Sequence, residues 1–176
     1  MAIQGIAGSY SDDAANILVP SSEIVECRSF NDTFEAVTAG VAECAVVPLR
    51  NKIVGEIVPA TNALARSGLR PFESIELTVK HVLTAVGGAT LETIKKIISH
   101  PEAIKQCRNF FESHPEIEAI SDHDTASSVR KVAESNDVSL GAIASERASV
   151  LFGTQVIARD IADDIDNYTT FYLVKR

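Results

Sequence analysis

The chain has 176 residues, of which 45% are hydrophobic and 23% charged, and a formal net charge of −8. That length buries a core without disulfides or metals, and the composition is ordinary for a soluble globular protein. The acidic balance argues against nucleic acid and anionic membrane surfaces, and no stretch approaches the ~18 apolar residues of a membrane span. A small anion is still admissible, because a local cationic cleft can sit in an acidic protein. Cys27, Cys44 and Cys107 are odd in number and scattered, which reads as free thiols in a reducing compartment. The N-terminus lacks the basic and apolar regions of a signal peptide, so a cytoplasmic protein is expected. His81, His100, His114 and His123 show no ligand spacing, so no metal is expected.

Short apolar runs alternate with helical patterns, the mark of an α/β fold. Residues 2–7 read as a strand, Gly8-Ser9-Tyr10 as a turn, and Ser11 as the N-cap of a helix beginning at Asp12. A strand over 23–27 and a helix over 31–39 follow, the helix closed by Gly40. Residues 43–48 form a buried strand whose end, Pro48-Leu49-Arg50-Asn51-Lys52, leads into a loop with Gly55. A helix covers residues 60–66. Residues 75–86 alternate long enough for one strand crossing between two lobes. Then come a strand over 95–99, a helix opened by Pro101, and a strand over 118–121. A helix over 125–134 and strands over 140–144, 155–159 and 170–174 complete the pattern.

Several stretches, taken in order, resemble the prephenate dehydratase family. Gly5-Ile6-Ala7-Gly8-Ser9-Tyr10-Ser11 is similar to its Gly-x-x-Gly-Thr-Tyr-Ser. Phe30–Val37 resembles its first-lobe helix, and Val46-Val47-Pro48 precedes the place of its Glu-Asn-Ser. Ser99-His100-Pro101-Glu102, with Gln106-Cys107, resembles Ser-His-Pro-Gln and the Gln-Cys after it. Asp124-Thr125-Ala126 stands for Ser-Thr-Ala, and Ile143-Ala144-Ser145-Glu146 is close to Ala-Ile-Ala-Ser. Asp166-Asn167-Tyr168-Thr169-Thr170-Phe171 resembles the signature Asn-x-Thr-Arg-Phe.

The resemblance implies two entwined α/β lobes like a type II periplasmic binding protein, with an active-site cleft between them. Lobe 1 would span about residues 1–78 plus the C-terminal segment, and lobe 2 about 79–160. It implies a lyase that converts prephenate to phenylpyruvate without a cofactor, with a small anionic substrate as partner and a homodimer as the family habit. Thr169 would be the catalytic residue that polarises the leaving hydroxyl. Asn51, Ser99, Gln106, Thr125 and Phe171 would line the substrate site, and Ser9 and Ser11 would offer it a helix start. Neither the regulatory ACT domain nor the chorismate mutase found in family members is visible.

Two departures from the family pattern stand out. Thr170 occupies the place of the motif arginine, and Arg50-Asn51-Lys52 replaces Glu-Asn-Ser. If the arginine holds a substrate carboxylate, its loss removes a pair worth about 3–5 kcal/mol. The site would be more cationic than the family norm by about two charges, with Arg50 and Lys52 beside Asn51. One reading gives the carboxylate to Arg50 and keeps prephenate as substrate. The preferred reading is a repurposed lyase of specialised biosynthesis, as in tropodithietic acid-type pathways, with a more anionic or coenzyme A-linked substrate. A decarboxylase-like enzyme and a non-catalytic anion-binding module are the alternatives.

Overall fold

The computed structural model describes residues 1–176, which divide into two units: Met1–Val79 with Asp166–Arg176, and Lys80–Ile165. In the first unit β1 (Ala2–Gln4) lies parallel to β2 (Val25–Cys27) on one side and to β3 (Ala45–Asn51) on the other. Helix α1 (Tyr10–Leu18) joins β1 to β2, and α2 (Phe30–Thr38) joins β2 to β3. Right-handed crossovers running in opposite directions put their helices on opposite faces of a sheet, and the core follows that rule. Ala14 and Ala15 of α1 pack with Ile3, Val46, Phe171 and Leu173. Phe34 and Val37 of α2 pack with Ala2, Val47, Leu49 and Val174.

A short β4 (Gly55–Glu56) folds back on β3, and α3 (Val58–Ser67) leads to β5 (Arg70–Thr78). The chain returns to this unit at its end as β11 (Tyr168–Lys175), antiparallel to both β3 and β5. The strand order is β2-β1-β3-β11-β5.

The second unit contains β6 (Val82–Ala85), β7 (Lys96–Ser99), α4 (Pro101–Lys105), α5 (Arg108–Ser113) and β8 (Glu118–Ser121). It continues through α6 (Thr125–Ser135), β9 (Leu140–Ala144), α7 (Glu146–Phe152) and β10 (Gln155–Ala158). Its order is β10-β6-β9-β7-β8, with β7 parallel to β8 and β9, and with β6 antiparallel to β9 and β10. Each unit is thus three parallel strands with the earliest in the middle, followed by two more, each antiparallel to the strand before it in the sheet. In such sheets the chain leaves the middle strand in both directions, and ligands bind beyond the carboxyl ends of the strands flanking that switch point.

Three sequence expectations are corrected. The cap of α1 is Ser9, whose hydroxyl accepts from the Asp12 N–H at 3.3 Å, and Ser11 lies inside the helix. The run over 75–86 is two strands, because residues 79–81 leave the ladder between β5 and β6. Strand β3 continues through Arg50 and Asn51, past the expected strand boundary at residue 48. The three cysteines are free and buried, and burial pushes the Cys107 thiol up to about 12. No helix is long and apolar enough to cross a membrane.

Gly141 shows how tightly the second sheet is packed. A Cβ there would sit 2.9 Å from Leu83 Cδ1 and 3.4 Å from Ile94 Cδ1, both in side chains with no exposed surface. Gly141→Ala is therefore expected to cost about 1–3 kcal/mol by overpacking, read from urea unfolding midpoints. An unchanged midpoint would show that the core gives way freely at this point.

Candidate active site

The carboxyl end of β3 is where the first unit assembles polar side chains. Pro48 pairs with Phe171 and Arg50 with Thr170, so Leu49 is passed over in the β3–β11 ladder. This extra residue is a β-bulge, and its effect is to reverse which face the following side chains occupy. Without it, the alternation from Val46 and Pro48 would turn Arg50 towards α1. With it, Asn51 is directly opposite Thr169 on the α1 face, and Arg50 is opposite Thr170 on the other.

Asn51 is 6% exposed, Asn167 1% and Thr169 7%. The Asn51 amide nitrogen donates to Asn167 Oδ1 at 2.8 Å, to the Tyr168 carbonyl at 3.0 Å and to Thr169 Oγ1 at 2.9 Å. Its carbonyl oxygen accepts from the Ile53 and Val54 N–H groups at 2.9 and 3.0 Å. One side chain therefore closes the β3–β4 turn and fixes a buried hydroxyl. Because Asn51 is the donor, Thr169 Oγ1 is an acceptor in this contact, and the threonine's own proton is directed elsewhere. That is the polarity a proton donor needs: the N–H group stabilises negative charge developing on Oγ1 as the proton leaves.

Asn167 was quoted in the signature but not singled out as a site residue. The period-2 alternation of β11 was the available signal, since it puts positions 167, 169 and 171 on one face.

The other expected residues of this unit take different places. Phe171 is 2% exposed and packed with Ile3, Ala14 and Val46, so it is a core residue and not a substrate contact. Ser9 caps α1, while Ser11 and Asp12 are buried in its first turn, where Asp12 Oδ2 accepts from the Gly8 N–H at 2.9 Å. Lys52 is exposed, and its Nζ donates to the Asp166 carbonyl at 3.2 Å.

Arg50 and Thr170 share a cross-strand row with Glu56 of β4 and Glu76 of β5, on the sheet face away from Thr169. The expectation that Arg50 joins Asn51 and Thr169 is therefore corrected. Arg50 and Thr170, both expected from the sequence to depart from the family pattern, stand directly opposite each other in the ladder.

In the second unit Ser99 has no exposed surface, and its hydroxyl donates to the Ile143 carbonyl at 2.7 Å, tying β7 to β9. The cap of α4 is His100, whose Nδ1 accepts from the Glu102 N–H at 3.2 Å. Burial holds His100 below the usual imidazole range, against the pull of Glu102 and Asp124. Thr125 is the first residue of α6, half-buried, and Asp124 is its cap, accepting from the Ser127 N–H at 2.7 Å. Gln106 ends α4, and its Oε1 meets His81 Nε2 at 2.9 Å.

Arg50→Glu would insert a third acid between Glu56 and Glu76. The expected result is a fall in melting temperature of about 2–4 °C. Adding Thr170→Arg opposite it should restore the wild-type value. A double variant no more stable than Arg50→Glu alone would contradict the shared row.

The family model "Prephenate dehydratase" matches residues 1–176. The chain is 35% identical over its whole length to arogenate dehydratase/prephenate dehydratase 2, chloroplastic, of Arabidopsis thaliana, and covers 46% of it. It thus spans about half the length of such curated relatives. The solved prephenate dehydratase of Arthrobacter aurescens, in complex with L-Phe, superposes at a TM-score of 0.89 with 29% identity, over 100% of this chain and 60% of that one. GqqA, described as a novel type of quorum quenching acylase, superposes at 0.87 with 30% identity, over 99% of this chain and 63% of that one. A lipoprotein of Bacillus subtilis, at a TM-score of 0.51 and 8% identity, shares the fold alone. On the match to its whole length, the chain belongs to the prephenate dehydratase family.

Proposed function

We propose that the chain is a dehydratase that aromatises prephenate or its amino analogue arogenate, with Thr169 as the proton donor. The observation that carries this reading is the Asn51–Thr169 contact, 2.9 Å long and buried. In the reaction the carbon–carbon bond to the ring carboxylate breaks and its electron pair enters the ring. The ring hydroxyl leaves from the opposite carbon with a proton supplied by Thr169, so the products are the aromatic keto or amino acid, carbon dioxide and water. Threonine is a weak acid, and the Asn51 amide stabilises the charge left on Oγ1 until solvent returns the proton. Asn167 holds the Asn51 amide in place.

The sequence favoured a repurposed enzyme because the motif arginine is missing and two bases flank Asn51. The ladder places Arg50 and Thr170 together on the far face from Thr169, so this change alters a cross-strand contact and leaves the proton donor and its support intact. That supports the ordinary family substrates over a coenzyme A-linked one. Acyl transfer of the kind named for GqqA calls for a base that takes a proton from the nucleophile. The partner of Thr169 is the Asn51 amide, which is a donor.

The test is turnover of prephenate and of arogenate by purified protein, with products identified by mass spectrometry. Formation of phenylpyruvate or phenylalanine well above the spontaneous rate is expected. Thr169→Val should lower the rate by about 10²–10⁴ with little loss of stability. No acceleration with either compound would overturn the reading.

A further inference from the structure

We infer that His100 is a proton-sensitive cap, whose neutral ring closes the start of α4 and whose protonated ring releases it. The inference concerns the second unit by itself and does not depend on the dehydratase reading. Histidine is the one side chain that ordinarily changes charge between about pH 5 and 8. The chain has four, His81, His100, His114 and His123, and all of them lie within Lys80–Ile165. A fall in pH through that range therefore meets histidines in one unit and none in the other.

What sets His100 apart is the direction of its side-chain hydrogen bond. Helix α4 opens at the His100 carbonyl, which accepts from the Ile104 N–H at 3.1 Å. Pro101, the first helical residue, has no N–H to give, so the Glu102 N–H is the first donor of the helix. It points at His100 Nδ1, 3.2 Å away. An imidazole nitrogen accepts only while it keeps a lone pair, and both nitrogens of the protonated ring are donors. The cap thus fixes the neutral Nε2–H tautomer, and a proton on Nδ1 sets two donors against each other. His114 shows the contrary case. Its Nδ1 is 2.8 Å from the Phe110 carbonyl and must donate, so protonating its other nitrogen leaves that bond in place. Helices α1, α2, α6 and α7 are capped by oxygens of Ser9, Ser29, Asp124 and Ser145, which keep an acceptor lone pair in either protonation state.

The surroundings of the ring work in the same sense. Burial is the largest influence and holds His100 below its ordinary 6.5. Glu102 and Asp124 favour the charged ring, while His123 and Lys105 oppose it. Of the strands packed against α4, β9 carries no titratable side chain, and β8 carries only Glu118, which Lys96 meets at 3.9 Å. Once protonated, the ring is drawn towards the two carboxylates as it loses its hold on the Glu102 N–H. The unfolded chain takes up this proton at a higher pH than the folded one. The contribution of the cap is therefore complete above pH 6.5 and is lost as the pH falls through the lower folded value.

Burial also lowers the pKa of His81, which is 3% exposed, so the test reads α4 locally. The probe is hydrogen exchange of the Glu102 amide, followed by NMR and corrected for the intrinsic pH dependence of exchange. Between about pH 7.5 and pH 5 its protection should fall roughly tenfold, the worth of a cap hydrogen bond. His100→Asn keeps an acceptor at the cap without a titrating nitrogen, and its protection should be equal at both ends of the range. His100→Ala should show the low protection throughout. Two- and three-bond ¹H–¹⁵N correlation spectra of the wild-type protein should show His100 as the Nε2–H tautomer at neutral pH.

An Nδ1–H tautomer at neutral pH overturns the inference with no variant needed. A flat protection profile in the wild type rejects it as well. So does a fall in His100→Asn as large as in the wild type, which would move the acid-sensitive group elsewhere, with His81 the first to examine.

Discussion

Everything distinctive about the candidate site depends on one unpaired residue in one strand. Leu49 is skipped in the β3–β11 ladder, and the period of two that governs every strand is thereby offset by one step at its carboxyl end. The offset puts an asparagine opposite a threonine among buried side chains and puts an arginine at the sheet's other face. Once Asn51 is buried, its amide must be satisfied, and it is satisfied by partners from β11 and from the β3–β4 turn. An unsatisfied buried polar group costs about 1–3 kcal/mol, so turn, strand register and hydroxyl orientation are coupled. The register is held further by the apolar row of Phe171 and Leu173 against α1, because a one-residue slip would turn both of them to the opposite face, which Val47, Leu49 and Val174 already fill.

The two units use the same arrangement to make different kinds of rim. In the first, the carboxyl ends of β1 and β3 carry the Gly8–Ser9 helix start and Asn51. In the second, the ends of β7 and β9 carry the His100 cap and Ser145, the cap of α7. Most of the polar side chains at these ends are occupied by capping or by ties between strands, as Ser99 is by the Ile143 carbonyl. Such bonds leave few groups with a proton to give. Thr169, which accepts from the Asn51 amide, is one of them.

Much of this was legible from the residues. The alternation of strands and helices gave the α/β class, and the ordered motifs gave the family, which the whole-chain match bears out. The signature around Thr169 lies on β11, beside the buried Asn51. What could not be read was anything that depended on register. Arg50 and Lys52 flank Asn51 in sequence, and proximity in sequence suggested a shared cationic site. A bulge is not visible in composition or period, because Pro48-Leu49-Arg50 fits an unbroken strand or a loop equally well. The same ignorance made Thr170 look like a lost substrate contact, when its direct partner across the ladder is Arg50. Phe171 was expected at the site for a related reason: motif membership does not distinguish a residue that could meet a ligand from one that anchors the strand beneath it. His81 carried no motif at all, and only the fold brings it to Gln106.

The proposed chemistry is economical: a buried amide would direct a hydroxyl, and the hydroxyl would protonate a leaving group on a ring that gains aromaticity. Its central claim is that Asn51 acts through Thr169. A double-mutant cycle in turnover of prephenate or arogenate, comparing Asn51→Ala, Thr169→Val and the pair, measures this directly. The account predicts that Thr169→Val costs nearly as much as both changes together, so that removing Asn51 from the threonine-less protein changes little. Independent, multiplicative losses from the two substitutions would contradict it.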